Sequence, residues 1–320
     1  MSPATIISAY AASPAHTVWD AELEAELLPA LCALPTVAGL EIPWIGAIHP
    51  HDTSWFLQHV PAGAHLSLTA LPWVMQRCAA MPAYGLASRD SAGRAAAIHD
   101  FRMLHADVHT LAQQSAAQVD FVAIHSAPHE TADKEALVES LAEIASWDWV
   151  GARLIIEHCD AVRPGQAYEK GFLRLEDEID VIDRASADIG LWMNWGRSAI
   201  ELRDADAITA QIATAAASGS LTGLTFSGAA FADGPYGSAW TDTHPPIAET
   251  DAESASLLDA ACVVSALAAA RDAPWIGVKV SRNPADRTAA EVTATVARNL
   301  EIVRRSRPAD AGHGAAGNHD

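Results

Sequence analysis

The sequence predicts an α/β fold: a single closed (β/α)8 barrel. Three observations carry that expectation. Eight short apolar runs alternate with helical patterns along the whole chain. Most runs are rich in Ile, Leu, Val and Thr without clean alternation, as parallel strands covered on both faces should be. The turn after the first run, Ala11-Ala-Ser-Pro14, is not the GxGxxG loop expected of a doubly wound nucleotide-binding sheet.

The strand candidates are Thr5–Tyr10, Gly39–Trp44, His65–Leu71, Val119–Ser126, Arg153–His158, Ile189–Trp195, Leu221–Ser227 and Trp275–Ser281. Helices are expected at Val18–Leu34, Ala95–Gln114, Lys134–Ser146, Glu176–Ala185, Ala205–Ala217, Ala252–Asp272 and Thr288–Arg305. The second of these places Ile98, Phe101, Leu104, Val108 and Leu111 on one face. The fourth begins with acids that suit the helix dipole. Pro72–Ser91 reads as a long irregular stretch, a lid or a subunit contact. The barrel is expected to span residues 1–306, followed by a small, polar, disordered tail at 307–320.

Composition narrows the partners. The chain has 320 residues, half of them hydrophobic, and 40 acids against 20 bases for a formal charge of −20. Nucleic acid and anionic membranes need basic patches, so neither is expected. No secretory signal is read at the N-terminus. The longest apolar helix candidate, around Leu257–Ala270, is too short to span a bilayer and contains Asp259. Four scattered cysteines without a CxxC pair point to a reduced, cytoplasmic protein. A small molecule, with a second copy of the chain, is the partner expected.

In a barrel the C-terminal ends of the strands converge on one mouth. Read in order, these ends offer Tyr10, Glu41 with Trp44, Trp73, His125, the run Glu157-His158-Cys159-Asp160, Asn194-Trp195, Ser227 and Lys279. That set suits proton transfer on a polar, hydroxylated ligand such as a sugar. Glu157 stands out, because a carboxylate ending an apolar strand is costly to bury without a partner. It reads as a general base or metal ligand, against the blander reading of a structural ion pair. Lys279 lies inside an apolar last strand and is one of three lysines in the chain. It could neutralise Glu157, donate a proton or form a Schiff base. His125 reads as an acid/base or as a partner for a neighbouring carbonyl.

His158 should face away from Glu157 if the strand continues. Asp242 and His244, in the loop after the seventh strand, are placed to fold over the mouth. His49-Pro-His51-Asp52 looks like a metal motif but follows the wrong strand. His105 and His109 share a helix face that is expected to meet solvent.

The barrel resembles the xylose-isomerase-like sugar isomerase/epimerase superfamily. The resemblance rests on Glu41 in Gly-Leu-Glu-Ile-Pro, on Glu157, and on Asn194-Trp-Gly-Arg197 followed by a helix start at Asp204. More narrowly, Tyr10-Ala-Ala-Ser-Pro14, Ala70-Leu-Pro-Trp73 and Asn194-Trp-Gly-Arg197 are similar to a bacterial branch defined by a domain of unknown function. The resemblance implies a metal held by a strand-five Glu, a strand-six Asp with a His three residues later, a strand-seven His and a strand-eight Glu. Here Glu157 keeps the first position. Asn194, Arg197 and Lys279 stand at three of the others, and Thr225-Phe-Ser-Gly228 has no His. Lys and Arg repel a divalent ion.

The leading expectation is therefore an isomerase, epimerase or lyase of sugars or keto-sugars without the metal. Glu157, Lys279 and His125 would be catalytic. Glu41, Trp44, Trp73, His158, Asp160, Asn194, Trp195, Arg197, Asp242 and His244 would line the substrate. A second reading keeps Mn, Zn or Mg on Glu157, His125 and Asp160, with Asp242 and His244 nearby. A third is a non-catalytic barrel that binds carbohydrate or a partner through Trp44, Trp73, Trp192 and Trp195.

Overall fold

The computed structural model describes residues 4–185, 187–271 and 273–307. Eight parallel strands close into a barrel in chain order. They are β1 (Ala4–Ser8), β2 (Val37–Pro43), β3 (His65–Thr69), β4 (Gln118–Ile124), β5 (Arg153–Glu157), β6 (Gly190–Asn194), β7 (Leu221–Phe226) and β8 (Trp275–Val278). Each matches an expected apolar run, and β8 pairs with β1 to complete the ring. No helix among the described residues is long and apolar enough to cross a membrane.

The acids of this sequence have a structural use. Asp20, Asp52, Asp90, Asp133, Asp204 and Asp259 each cap a helix, accepting a backbone N–H of the first turn with the side chain. A cap of this kind is worth about 1 kcal/mol. These caps also correct two expected boundaries. The first long helix starts at Ala21 rather than Val18, behind Asp20. The helix expected from Ala252 runs only over Ala260–Ala270, because Asp259 caps it there and two 3-10 turns precede it.

Other expectations change more. Pro72–Ser91 is not an irregular lid. Leu71–Ala80 is a helix, with proline in its first turn, where no backbone N–H is needed. Asp100, on the helix Ser91–Gln114, pins the segment by accepting from Trp73 Nε1 at 2.8 Å, Arg77 Nε at 2.9 Å and Tyr84 Oη at 3.1 Å. His105 and His109 are half-buried, each 2.7–2.9 Å from the Asp148 carbonyl through Nε2, rather than facing solvent. Two short helices, Thr53–His59 and Trp195–Leu202, escaped the sequence pattern. Of the expected tail, Arg307 is held at Thr5 Oγ1, 3.0 Å away, and 308–320 lie outside the described residues.

The main core lies between the barrel and its helices, while a smaller cluster of Ile6, Phe121, Ala123, Ile155 and Trp192 fills the barrel interior. Trp192 lies across the interior because β7 gives way to it. A Cβ on Gly223 would meet the indole at 2.6 Å. Likewise a Cβ on Gly277 would meet Thr225 Oγ1 at 2.1 Å, and Thr225 Oγ1 in turn accepts from Trp192 Nε1 at 2.8 Å. Above this floor the small side chains Ser8 and Ser67 leave a narrow axial chamber. A Gly223→Ala substitution overpacks the floor. It should cost about 1–3 kcal/mol and alter the near-ultraviolet tryptophan signal. An unchanged denaturation midpoint would show that Trp192 moves aside freely.

Candidate active site

Strand alternation sends Glu157 inward from the end of β5 and His158 outward. Glu157 is almost fully buried, and it is held from three sides. Arg197 Nη1 lies 2.6 Å from Oε1, His125 Nε2 lies 3.1 Å from Oε2, and Asn194 Nδ2 donates to Oε1 at 3.5 Å. Burial alone would raise the carboxyl's pKa. The charge of Arg197, the His125 hydrogen bond and the charge of Lys279 reverse this and hold it well below the ordinary range.

Local structure delivers Arg197. Asn194 ends β6 and caps the helix Trp195–Leu202, its Oδ1 accepting from the N–H groups of Gly196 at 3.1 Å and Arg197 at 3.3 Å. An asparagine does here what a strand-six aspartate could not do as well: its amide donates to Glu157 while its oxygen caps the helix. The guanidinium is fully buried, and its Nε donates to Asp242 Oδ2 at 3.1 Å. Burial disfavours its charge, but Asp242 and Glu157 outweigh burial and keep it protonated.

Asp242 joins two loops over the mouth. Lys170 Nζ donates to its Oδ2 at 2.9 Å, and Glu169 accepts from its backbone N–H. Burial opposes its charge, yet Arg197 and Lys170 hold its pKa well below the usual range. His244 Nδ1 lies 3.2 Å from Asp242 Oδ1 and 2.8 Å from Ser227 Oγ. Burial pushes this imidazole down to about 3, so it is neutral. His125 is likewise pushed down by burial.

The opposite wall carries another buried cation. Lys279 Nζ donates to Tyr10 Oη at 2.6 Å and to Glu41 Oε1 at 3.1 Å, and sits 4.7 Å from the Tyr10 ring centroid. Burial opposes its charge, but Glu41 and Tyr10 raise its pKa above the usual range. Burial also raises the Tyr10 phenol, so both groups keep their protons at neutral pH. Glu41, Glu157 and Lys279 line the same chamber, together with Ser8, Ser67, Thr225 and Trp192. Lys279 thus answers Glu41 directly and Glu157 only through the field across the chamber; Arg197 alone of the two expected cations touches Glu157.

Several residues expected at the substrate are elsewhere. Trp44 is buried behind the wall, donating to Asp107 at 2.7 Å, and Trp73 packs beside it at a centroid distance of 5.9 Å. Trp195 belongs to the core outside the barrel. Of the four indoles considered as platforms, Trp192 lines the chamber. His158 lies behind the barrel wall between Glu178, at 2.7 Å, and Glu201, at 3.1 Å. Asp160 turns its Oδ2 to the backbone N–H groups of Glu169 at 2.7 Å and Lys170 at 2.8 Å, anchoring the loop that carries Lys170. His49 accepts the N–H groups of His51 and Asp52, so that motif is a capped turn.

Sequence reasoning missed Lys170 and underrated Tyr10. The signal available for Lys170 was the scarcity of lysine; two of the three are buried at this mouth.

The site does not suit the metal that the resemblance implies. A divalent ion on Glu157 would sit against a guanidinium 2.6 Å from the carboxylate. Among the described residues no three His, Cys, Asp or Glu side chains are grouped to hold an ion, so His125, Glu157 and Asp160 do not form the alternative ligand set.

Comparison with known proteins places this geometry in a family. The model of the "Domain of unknown function (DUF4862)" family matches residues 6–294. A curated relative, "Uncharacterized protein STM3670" of Salmonella typhimurium, is 36% identical over 248 residues, 76% of this chain and 78% of the relative. Among solved structures, an L-ribulose 3-epimerase superposes with a TM-score of 0.58 at 16% identity, over 96% of each chain. A Methylomonas sp. D-allulose 3-epimerase, solved with D-allulose, gives 0.56 at 13% identity over 95% of this chain and 97% of that one. A xylose isomerase domain containing protein from Salmonella typhimurium gives 0.55 at 9% identity over 93% and 97%. The chain belongs to the DUF4862 family and shares its fold with these barrels.

Proposed function

We propose that this protein is a sugar or keto-sugar isomerase, epimerase or lyase that removes a proton next to a carbonyl without a metal in the superfamily's usual place. The observation that carries the reading is the buried contact of Arg197 with Glu157, 2.6 Å, where the sequence resemblance implies an ion. The fold is shared with epimerases whose names specify L-ribulose and D-allulose, which supports a free sugar as the substrate class.

The two walls of the chamber are pushed apart in acidity, as an acid–base pair should be. Glu157 is ionised and accepts the proton. Lys279 stays charged and Tyr10 stays protonated on the facing wall. Lys279 and Arg197 stabilise the enediolate oxygens that develop as the proton leaves, and this is the contribution a metal makes elsewhere. Tyr10 or His125 returns a proton to carbon in isomerisation or epimerisation; in β-elimination the same donors protonate the departing oxygen. The chamber is narrow, so entry of a sugar requires the loops joined by Lys170 and Asp242 to part.

Deuterium wash-in tests the first step without a known product. Incubated in heavy water with D-fructose or D-allulose after chelator treatment, the protein should exchange the hydrogen next to the carbonyl, as read by proton NMR. Glu157→Gln should slow exchange about 10²–10⁴-fold, and Lys279→Gln about 10²–10³-fold. Full exchange by Glu157→Gln, or a stoichiometric divalent ion whose removal stops exchange, would overturn the reading.

The pH profile gives a second check. The Glu157 carboxyl is held well below its ordinary value of 4.5. A group with a depressed folded pKa loses its charge, and its stabilising contribution, only as pH falls through the lower value. The exchange rate should therefore show no acid limb above about pH 4.5. An acid limb centred near neutral pH would assign the base to another group.

A further inference from the structure

Behind the barrel wall lies a second polar cluster that the proposed chemistry does not use. His158 is fully buried, with Nδ1 at 2.7 Å from Glu178 Oε2 and Nε2 at 3.1 Å from Glu201 Oε2. Glu178 Oε1 accepts from Ser126 Oγ at 2.6 Å. Glu201 Oε1 accepts from Arg163 at 2.7 and 3.0 Å, and its Oε2 from Gln211 at 3.2 Å. Ser126 Oγ also accepts from the backbone N–H of Leu173 at 3.3 Å, at the end of the loop that carries Lys170.

The outer cluster tracks the inner one along the chain. Ser126 follows His125, and His158 follows Glu157. Glu201 is one turn beyond Arg197 on the same short helix. Each member of the His125–Glu157–Arg197 contact thus has a close chain neighbour in the network centred on His158. Burial opposes a charged ring here, but Glu178 and Glu201 push His158 up to about 10, and Glu201 falls to about 2 despite its burial. Two cations, His158 and Arg163, face two carboxylates, so the cluster is charge-balanced and every ring nitrogen is engaged. A buried network satisfied in this way is rigid, and loss of one member leaves a buried charge unpaired.

We infer that His158 is a positioning residue: by bridging Glu178 and Glu201 it fixes the spacing of β4, β5 and the Arg197 helix, and so sets the geometry in which Arg197 and His125 grip Glu157. Its effect on turnover rests on the proposed role of Glu157; its effect on the grip itself does not.

The test uses His158→Asn, with Ser126→Ala and Glu201→Gln as milder breaks in the same network. Folding is checked by circular dichroism. In protein labelled with ¹⁵N-histidine, the His125 resonances, assigned with His125→Gln, read the grip on Glu157 with no substrate present. All three variants should shift them. Deuterium wash-in from D-fructose or D-allulose should fall at least ~10-fold, towards the ~10²-fold expected for a misplacement of about 1 Å, with KM within about twofold. Folded variants that retain both the His125 resonances and the wash-in rate would overturn the inference. If His158→Asn does not fold, the other two variants decide. If Glu157→Gln keeps full wash-in while the His125 resonances still move in these variants, the proposed function fails and the positioning role stands.

Discussion

The burial of the Glu157 carboxylate is the constraint from which the site follows. A lone carboxylate at the end of an apolar strand would carry a desolvation cost of several kcal/mol. Here a guanidinium, an imidazole and an amide meet it. Moving Arg197 leaves the charge unpaired, and moving the imidazole or the amide removes a polar partner from a buried carboxylate oxygen. Arg197 in turn needs Asp242, and Asp242 needs Lys170, so one buried carboxylate fixes the helix after β6 and two covering loops. This is why a loop lysine remote in sequence is 3% exposed.

The charges alternate, and that alternation keeps each group in one protonation state. Glu157 and Asp242 are held ionised by the cations between and beside them. Lys279 is held protonated by Glu41 and Tyr10. His125 and His244, buried among cations, are neutral. A mouth built this way carries fixed positive charge beside a buried carboxylate. Guanidinium and ammonium groups also keep their charge without needing to be loaded, and their hydrogen bonds give them direction.

How much was legible depended on whether the signal was local. All eight strands could be read because parallel strands covered on both faces are continuous apolar runs. Helix ends were read less well, since an Asp both fits a helix interior pattern and caps a helix. The short helix at Trp195–Leu202 follows β6 directly and is only eight residues long, so its polar positions Arg197, Ser198 and Glu201 had too few turns to mark a period. The tryptophans misled for a related reason. A large apolar ring at a strand end is as useful behind the wall as inside the mouth, and the side it takes depends on the twist of the strand and on partners such as Asp100 and Asp107.

The sequence by itself determined the barrel and the inward position of Glu157. These are properties of periodicity and order along the chain. Only the tertiary structure decided the pairing: Arg197 rather than Lys279 touches Glu157, Lys279 serves Glu41 and Tyr10, and Lys170 reaches the mouth. Ion-pair choice depends on distances of a few ångströms between residues as far apart as 238 positions. Coulomb energy in a buried site changes steeply over that range, and nothing in the linear chain encodes it.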